Sequence, residues 1–427
     1  MSVQKIIGKI VTLLVVLLLL GGSVVPPGDN RDFVRRYTRS IEFNFVSWTV
    51  NAIWTKLNQA ALGVPRYLNE VDQQKFVKNY LAQVSELQSL KDKIEELYAT
   101  PNLKNRELYT RPLIHEQLVR QKRLDIQGPL AEAMLQTQIS AALAKDGITL
   151  GGQPIPPILY HVTPLPYALV VSPRDVIRHD VQISLLPDLT LDQIIQLEKN
   201  VEESKNLSAL VVPVGGIGIY PTMVMSTSSI SWLTEVIGHE WTHNYLTLHP
   251  LGIRYFSSNQ LITMNETTAS IAGTEISRTV LETYYPDDVP PEPLPEWPLP
   301  VPYEELFPGP DPEARLVFNY NREMNRTRVE ADRLLAEGKI EEAENYMEQR
   351  RLVFVNNGYN IRRINHAYFA FYGSYAEASG GAQGKDPVGP AVYELRAQSP
   401  SLAAFLKRIA WISSFQSLEQ LLSTGSP

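Results

Sequence analysis

The strongest constraint on this chain is a helix that must shelter two imidazoles. Residues 235–243 read Glu-Val-Ile-Gly-His-Glu-Trp-Thr-His. Around them Trp232, Val236, His239, His243 and Leu246 recur at helical spacing and predict one apolar stripe of an α-helix. His239 and His243, four residues apart, share a face and can reach one cation, while Glu240 points beside it toward a water. Ionisable rings on an apolar stripe need partners, and a shared metal supplies one. Gly238 allows another segment to approach the helix closely. The chain has no cysteine, which excludes disulfides, thiolate metal sites and a Cys nucleophile. Any metal must be held by His, Asp or Glu.

A catalytic zinc takes three protein ligands and leaves one position open. His249 stands at the offset of the third histidine of metzincins, but the glycine of that pattern is replaced by Leu246. Leucine resists the left-handed turn required there. His249 is therefore expected to end the helix before Pro250, where the helix dipole favours it. Glu266 is the better third ligand. It opens a second helix on which Ala269 and Gly273 follow at i+3 and i+7, so small residues let that helix pack against the first. Glu275, at i+9, is turned about 180° away.

This arrangement resembles the gluzincin metallopeptidases, the thermolysin-like group, in which a Glu ligand in N-E-x-x-[A/S] follows H-E-x-x-H. Asn265-Glu266-Thr267-Thr268-Ala269 matches that pattern. The chain is most similar to uncharacterised bacterial membrane-associated relatives, including a predicted-aminopeptidase family, where a downstream N-x-A and a Tyr pack near the site. Asn365-His366-Ala367 and Tyr375 are similar here. The resemblance covers residues 229–282 specifically and 360–376 loosely. It implies that His239, His243 and Glu266 bind zinc and that Glu240 is the general base. It also implies that Tyr375 stabilises the oxyanion, with Tyr368 and Tyr372 as close rivals.

The expected fold is α+β and predominantly helical: a zincin-like core with a small mixed sheet, flanked by N- and C-terminal helical regions. Residues 1–28 read as a membrane anchor or signal, because 6–25 is almost wholly apolar and 20 helical residues span about 30 Å. Residues 29–150 form a helical region. In it Phe76, Tyr80, Val84, Leu87, Leu90, Ile94 and Leu97 mark one long helix, and Pro129 and Gly147 bound a second. Residues 151–285 hold the catalytic core, in which strands Tyr167–Val171 and Leu207–Val212 flank a helix begun by a Thr190–Gln193 capping box. The segment Ile217–Met225 is extended, and Pro221 makes it an edge strand able to pair with a peptide. Residues 286–312 carry 11 prolines and seven acids with no Lys or Arg, and read as an acidic loop. Residues 313–427 are helical and complete the site.

A 44% hydrophobic composition supplies a large core and excludes global disorder. With 39 basic and 46 acidic residues and no basic cluster, no nucleic-acid partner is expected. The expectation is a single-pass membrane protein, held by its N-terminal helix, with its catalytic part outside the cytoplasm. It is a zinc-dependent peptidase acting on peptide or protein substrates. A rival from another class is an anchored metal-binding scaffold without turnover, against which the intact Glu240 argues. An intramembrane protease needs aliphatic spans beside the motif, which Asn244, Thr247 and His249 deny.

Overall fold

The computed structural model describes residues 29–63, 67–99, 105–291, 318–359, 361–373 and 386–423. The chain is α+β and mostly helical, with two small three-stranded sheets among the described residues. It opens with α1 (Asn30–Thr38), capped by the Asp29 side chain, and α2 (Phe45–Leu62). The polarity of α2 is inverted. Ala52 and Lys56 are buried, while Val46, Val50, Ile53, Trp54 and Leu57 face outward. Lys56 donates to Glu132, a buried carboxylate that also accepts the Val162 N–H at 2.8 Å and pairs with His161 Nδ1 at 3.0 Å. This buried charge ties α2 to the helix and strand behind it.

The long helix α3 (Glu70–Ala99) buries Tyr80, Val84, Leu87, Leu90 and Ile94, as its stripe predicts. It packs along α4 (Arg106–Lys145), which is longer than expected. Pro129 does not start a helix; both Pro112 and Pro129 lie inside α4. Gly128 helps explain this. It lacks the Cβ that normally bars the residue before proline from helical backbone, and Tyr80 packs against the gap. The helix stops at Gly147, whose φ of +74° is left-handed.

The larger sheet has the order β3-β2-β4. Its strands are β2 (Tyr167–Pro173), β3 (Val181–Leu185) and β4 (Leu207–Val212), and α5 (Leu191–Ser204) lies between the last two. The Thr190–Gln193 capping box forms. Sequence reading missed β3, whose Val181, Ile183 and Leu185 are buried in alternation. Because β3 reverses the chain before α5, β4 runs antiparallel to β2. Ala168, Val170, Leu210 and Val212 face one hydrophobic cluster, and Leu169, Val171, Ala209 and Val211 face another. With both faces covered, these strands read as unbroken apolar runs.

The smaller sheet joins β1 (Tyr160–Val162), β6 (Thr222–Val224) and the edge strand β5 (Gly216–Ile217). The extended segment predicted at 217–225 is thus divided, with Pro221 between two short strands.

The central helices α6 (Ile230–Leu246) and α8 (Asn259–Tyr284) pack on each other, with α7 (Pro250–Ile253) at the turn. Then follow α9 (Tyr320–Ala336), α10 (Ile340–Asn356), α11 (His366–Tyr372), α12 (Val388–Ala397), α13 (Leu402–Ile409) and α14 (Phe415–Ser423). One hydrophobic cluster runs from Val77 and Leu143 through Ile237 and Ile276 to Leu406 and Leu418. Arg362 and Arg363 clamp the start of α11 onto the buried Glu198 of α5.

The single-pass membrane expectation is corrected. Among the described residues no helix is long and apolar enough to cross a membrane. Residues 6–25, on which that expectation rested, lie outside the described residues, as do 292–317 of the Pro-rich segment and its border.

Candidate metal centre

Helix α6 starts at Ser229, whose hydroxyl accepts from the Trp232 N–H at 3.2 Å. Its most buried face is Ile230, Leu233, Ile237 and Trp241 rather than the stripe predicted from sequence. Of that stripe Leu246 is buried in the core as expected, while Trp232, Val236, His239 and His243 are half-buried and line cavities.

Helix α8 crosses α6 at two glycines. A Cβ on Gly273 would stand 2.7 Å from the Glu235 carbonyl oxygen and 3.0 Å from the His239 nitrogen. A Cβ on Gly238 would stand 3.2 Å from the Gly273 Cα. Backbone therefore touches backbone, and Glu266, two turns before Gly273, is carried to the imidazoles.

Three donor atoms converge there. His239 Nε2 and His243 Nε2 are 3.1 Å apart, and each is 3.5 Å from Glu266 Oε2. Ligands about 2.0–2.2 Å from a tetrahedral ion stand roughly 3.3–3.6 Å from one another, so the triangle has the size of one face of such a site. The neighbours orient each donor. His243 Nδ1 donates to Asn265 Oδ1 at 2.7 Å, which turns the lone pair of Nε2 inward. Tyr255 donates to Glu266 Oε1, and Oε2 is buried without a hydrogen-bond partner. A buried carboxylate oxygen left open toward two imidazole nitrogens fits a cation. Burial opposes the charge on both partners, but their mutual attraction overcomes it: Glu266 is held well below the usual carboxylate range and His243 is raised to about 9.

Glu240 lies beside this triangle, buried between α6 and the turn after β5. A Cβ on Gly216 would sit 2.6 Å from Glu240 Oε1, and one on Gly218 would sit 2.8 Å from the His243 Cβ. Bare backbone thus grazes the carboxylate. Burial raises the Glu240 pKa above its ordinary value. Two cavities meet here, of about 680 and 820 Å³, and both are lined by Gly216, His239, Glu240 and Phe371.

No protein-family model, curated protein or solved structure matches this chain.

The structure brings His239, Glu240, His243 and Glu266 together, while His249, Glu275, Asn365 and Tyr368 are engaged in other contacts. His249 points its Nδ1 at the Tyr245 carbonyl, 2.9 Å away, and packs against Trp411. Glu275 is paired with Arg396 at 2.6 Å. Asn365 caps α11 and donates to the Ala209 carbonyl at 3.0 Å. Tyr368 bonds to Tyr320, while Tyr372 lines the second cavity. Tyr375 lies outside the described residues. Sequence reading missed Tyr255, and it missed His179, which lines the first cavity with its Nε2 2.9 Å from Gln182 Oε1. Neither carries a local signal, because both reach the site from other loops.

Proposed function

We propose that this chain is a zinc-dependent metallopeptidase of the gluzincin kind, with a zincin-like core built on α6 and α8. The observation that carries the reading is the triangle of His239, His243 and Glu266 at 3.1, 3.5 and 3.5 Å, with an intact Glu240 beside it. A structural metal has no use for that fourth group.

His239, His243 and Glu266 would hold the ion. When bound, zinc polarises a carbonyl and lowers the pKa of water. Glu240 then takes a proton from the attacking water and passes it to the leaving amine. Its burial favours the protonated form that the second transfer requires. An extended peptide lies along β5, the edge of its sheet, and pairs by strand addition. Gly216 and Gly218 keep that edge bare, so the peptide backbone can pass close to Glu240.

Glu240→Gln tests the reading. It keeps the size of the side chain and one oxygen but removes the base. Hydrolysis of a mixed peptide library is expected to fall by about 10²–10⁴-fold, roughly 3–5 kcal/mol of barrier. Zinc content and Tm are expected to hold. A zinc-loaded wild-type protein that cleaves no peptide would support the metal-binding scaffold instead.

A further inference from the structure

The two cavities differ in chemistry. The first is largely uncharged beyond the metal-centre residues. The second, of about 820 Å³, has aromatic walls from Trp232, Phe371, Tyr372 and Tyr393. Three charged side chains beyond the metal centre line it: Glu235, Glu275 and Arg396. Arg396 and Glu275 cancel through a two-point contact at 2.6 and 2.8 Å. Glu235 is left over. It accepts from Thr274 Oγ1 at 2.9 Å, and no cation lies within ion-pair distance of it among the described residues. Beyond the metal-centre residues the cavity therefore carries one uncancelled negative charge, on the solvent-exposed Glu235, beside aromatic faces.

The position of that charge is set by the helix. Glu235 is one turn before His239, so their Cβ atoms are about 5–6 Å apart. A group held by Glu235 sits on the part of a substrate next to the bond that would be cleaved.

We infer that this second cavity is a subsite for a cationic group of the substrate, an ammonium or guanidinium held by Glu235 against the aromatic walls. The inference rests on the peptidase reading. Carboxylate pairing and cation–π contact both favour a positive charge there, together by about tenfold. The cation comes either from a basic side chain or from a free N-terminal amine, and the two sources are separable.

The test uses the full chain loaded with zinc and four quenched peptides, with Arg or Leu beside the cleaved bond and each free or acetylated at its N-terminus. A preference of about tenfold for Arg in both forms identifies a basic side chain. A preference for the free amine whichever residue follows identifies the terminus. In either case the ratio is expected to fall toward one in Glu235→Gln and to reverse toward acidic peptides in Glu235→Arg. An unchanged ratio in both variants overturns the subsite. If wild-type protein cleaves nothing, the peptidase reading fails, and calorimetry on the same chain decides the subsite separately. Acetyl-arginine amide or leucine amide binding better than acetyl-leucine amide, with the difference lost in Glu235→Gln, supports it. Equal binding of all three overturns it.

Discussion

At the residue scale, the metal donors depend on neighbours that never touch the ion. Tyr255 fixes Glu266 through Oε1, and Asn265 fixes His243 through Nδ1. Removing such an orienting bond typically costs 10–100-fold in metal affinity. Tyr255→Phe and Asn265→Ala are each expected to weaken zinc binding in that range by competition with a chelator, while His249→Ala leaves it unchanged. If His249→Ala loses zinc and Glu266→Gln keeps it, the donor set is wrong. The motif His239–His243, Glu240 and Glu266 was legible because four-residue spacing and a small-residue face are local properties of helices. Tyr255 was not. It stands 11 positions before Glu266 on a short turn of its own, and only the fold brings the two together.

At the element scale, the α6–α8 contact is the most demanding feature. Gly273→Ala puts a methyl 2.7 Å from the Glu235 carbonyl oxygen, and rigid backbone cannot yield as a side chain would. The helices must part, at a cost of about 1–3 kcal/mol. Both Tm and zinc affinity are expected to drop. Gly338→Ala serves as a comparison, since its φ of +74° strains an alanine but its Cβ would meet nothing within 4 Å. It should lower stability without touching zinc affinity. The stripe of α3 was legible from one face of one helix. The length of α4 and the presence of β3 were not: Pro129 reads as a helix start, but Gly128 and packing against α3 let the helix run through it, and β3 is only five residues long.

At the scale of the whole molecule, the buried Glu132 joins α2, α4 and β1. Burial by itself would raise its pKa, but the charge of Lys56 and the His161 contact outweigh that and bring it down to about 2. A carboxylate lower in the folded than in the unfolded state stabilises fully above the unfolded value. That contribution fades as pH falls from about 4.5 toward 2. Acid unfolding followed by circular dichroism should therefore steepen in this window. The double variant Lys56→Met with Glu132→Leu should flatten the curve there. Lys56→Met alone strands a buried charge and is expected to cost about 3–5 kcal/mol.

The shared hydrophobic cluster also sets an order of events in time. Helix α8, which carries Glu266, packs on α4, made before it, and on α12 and α13, made after it. Roughly 100 residues separate the end of α8 from the start of α12, or about 5–20 s of synthesis. Through that interval α6 and α8 can meet, but the apolar side of α8 that faces α12 and α13 stays open to water. A nascent chain therefore holds its donors before it holds them rigidly, and the last helices act as a closing clasp. Pulse-labelled chains arrested before residue 388 should remain protease-sensitive in α8, and chains extended past residue 423 should not.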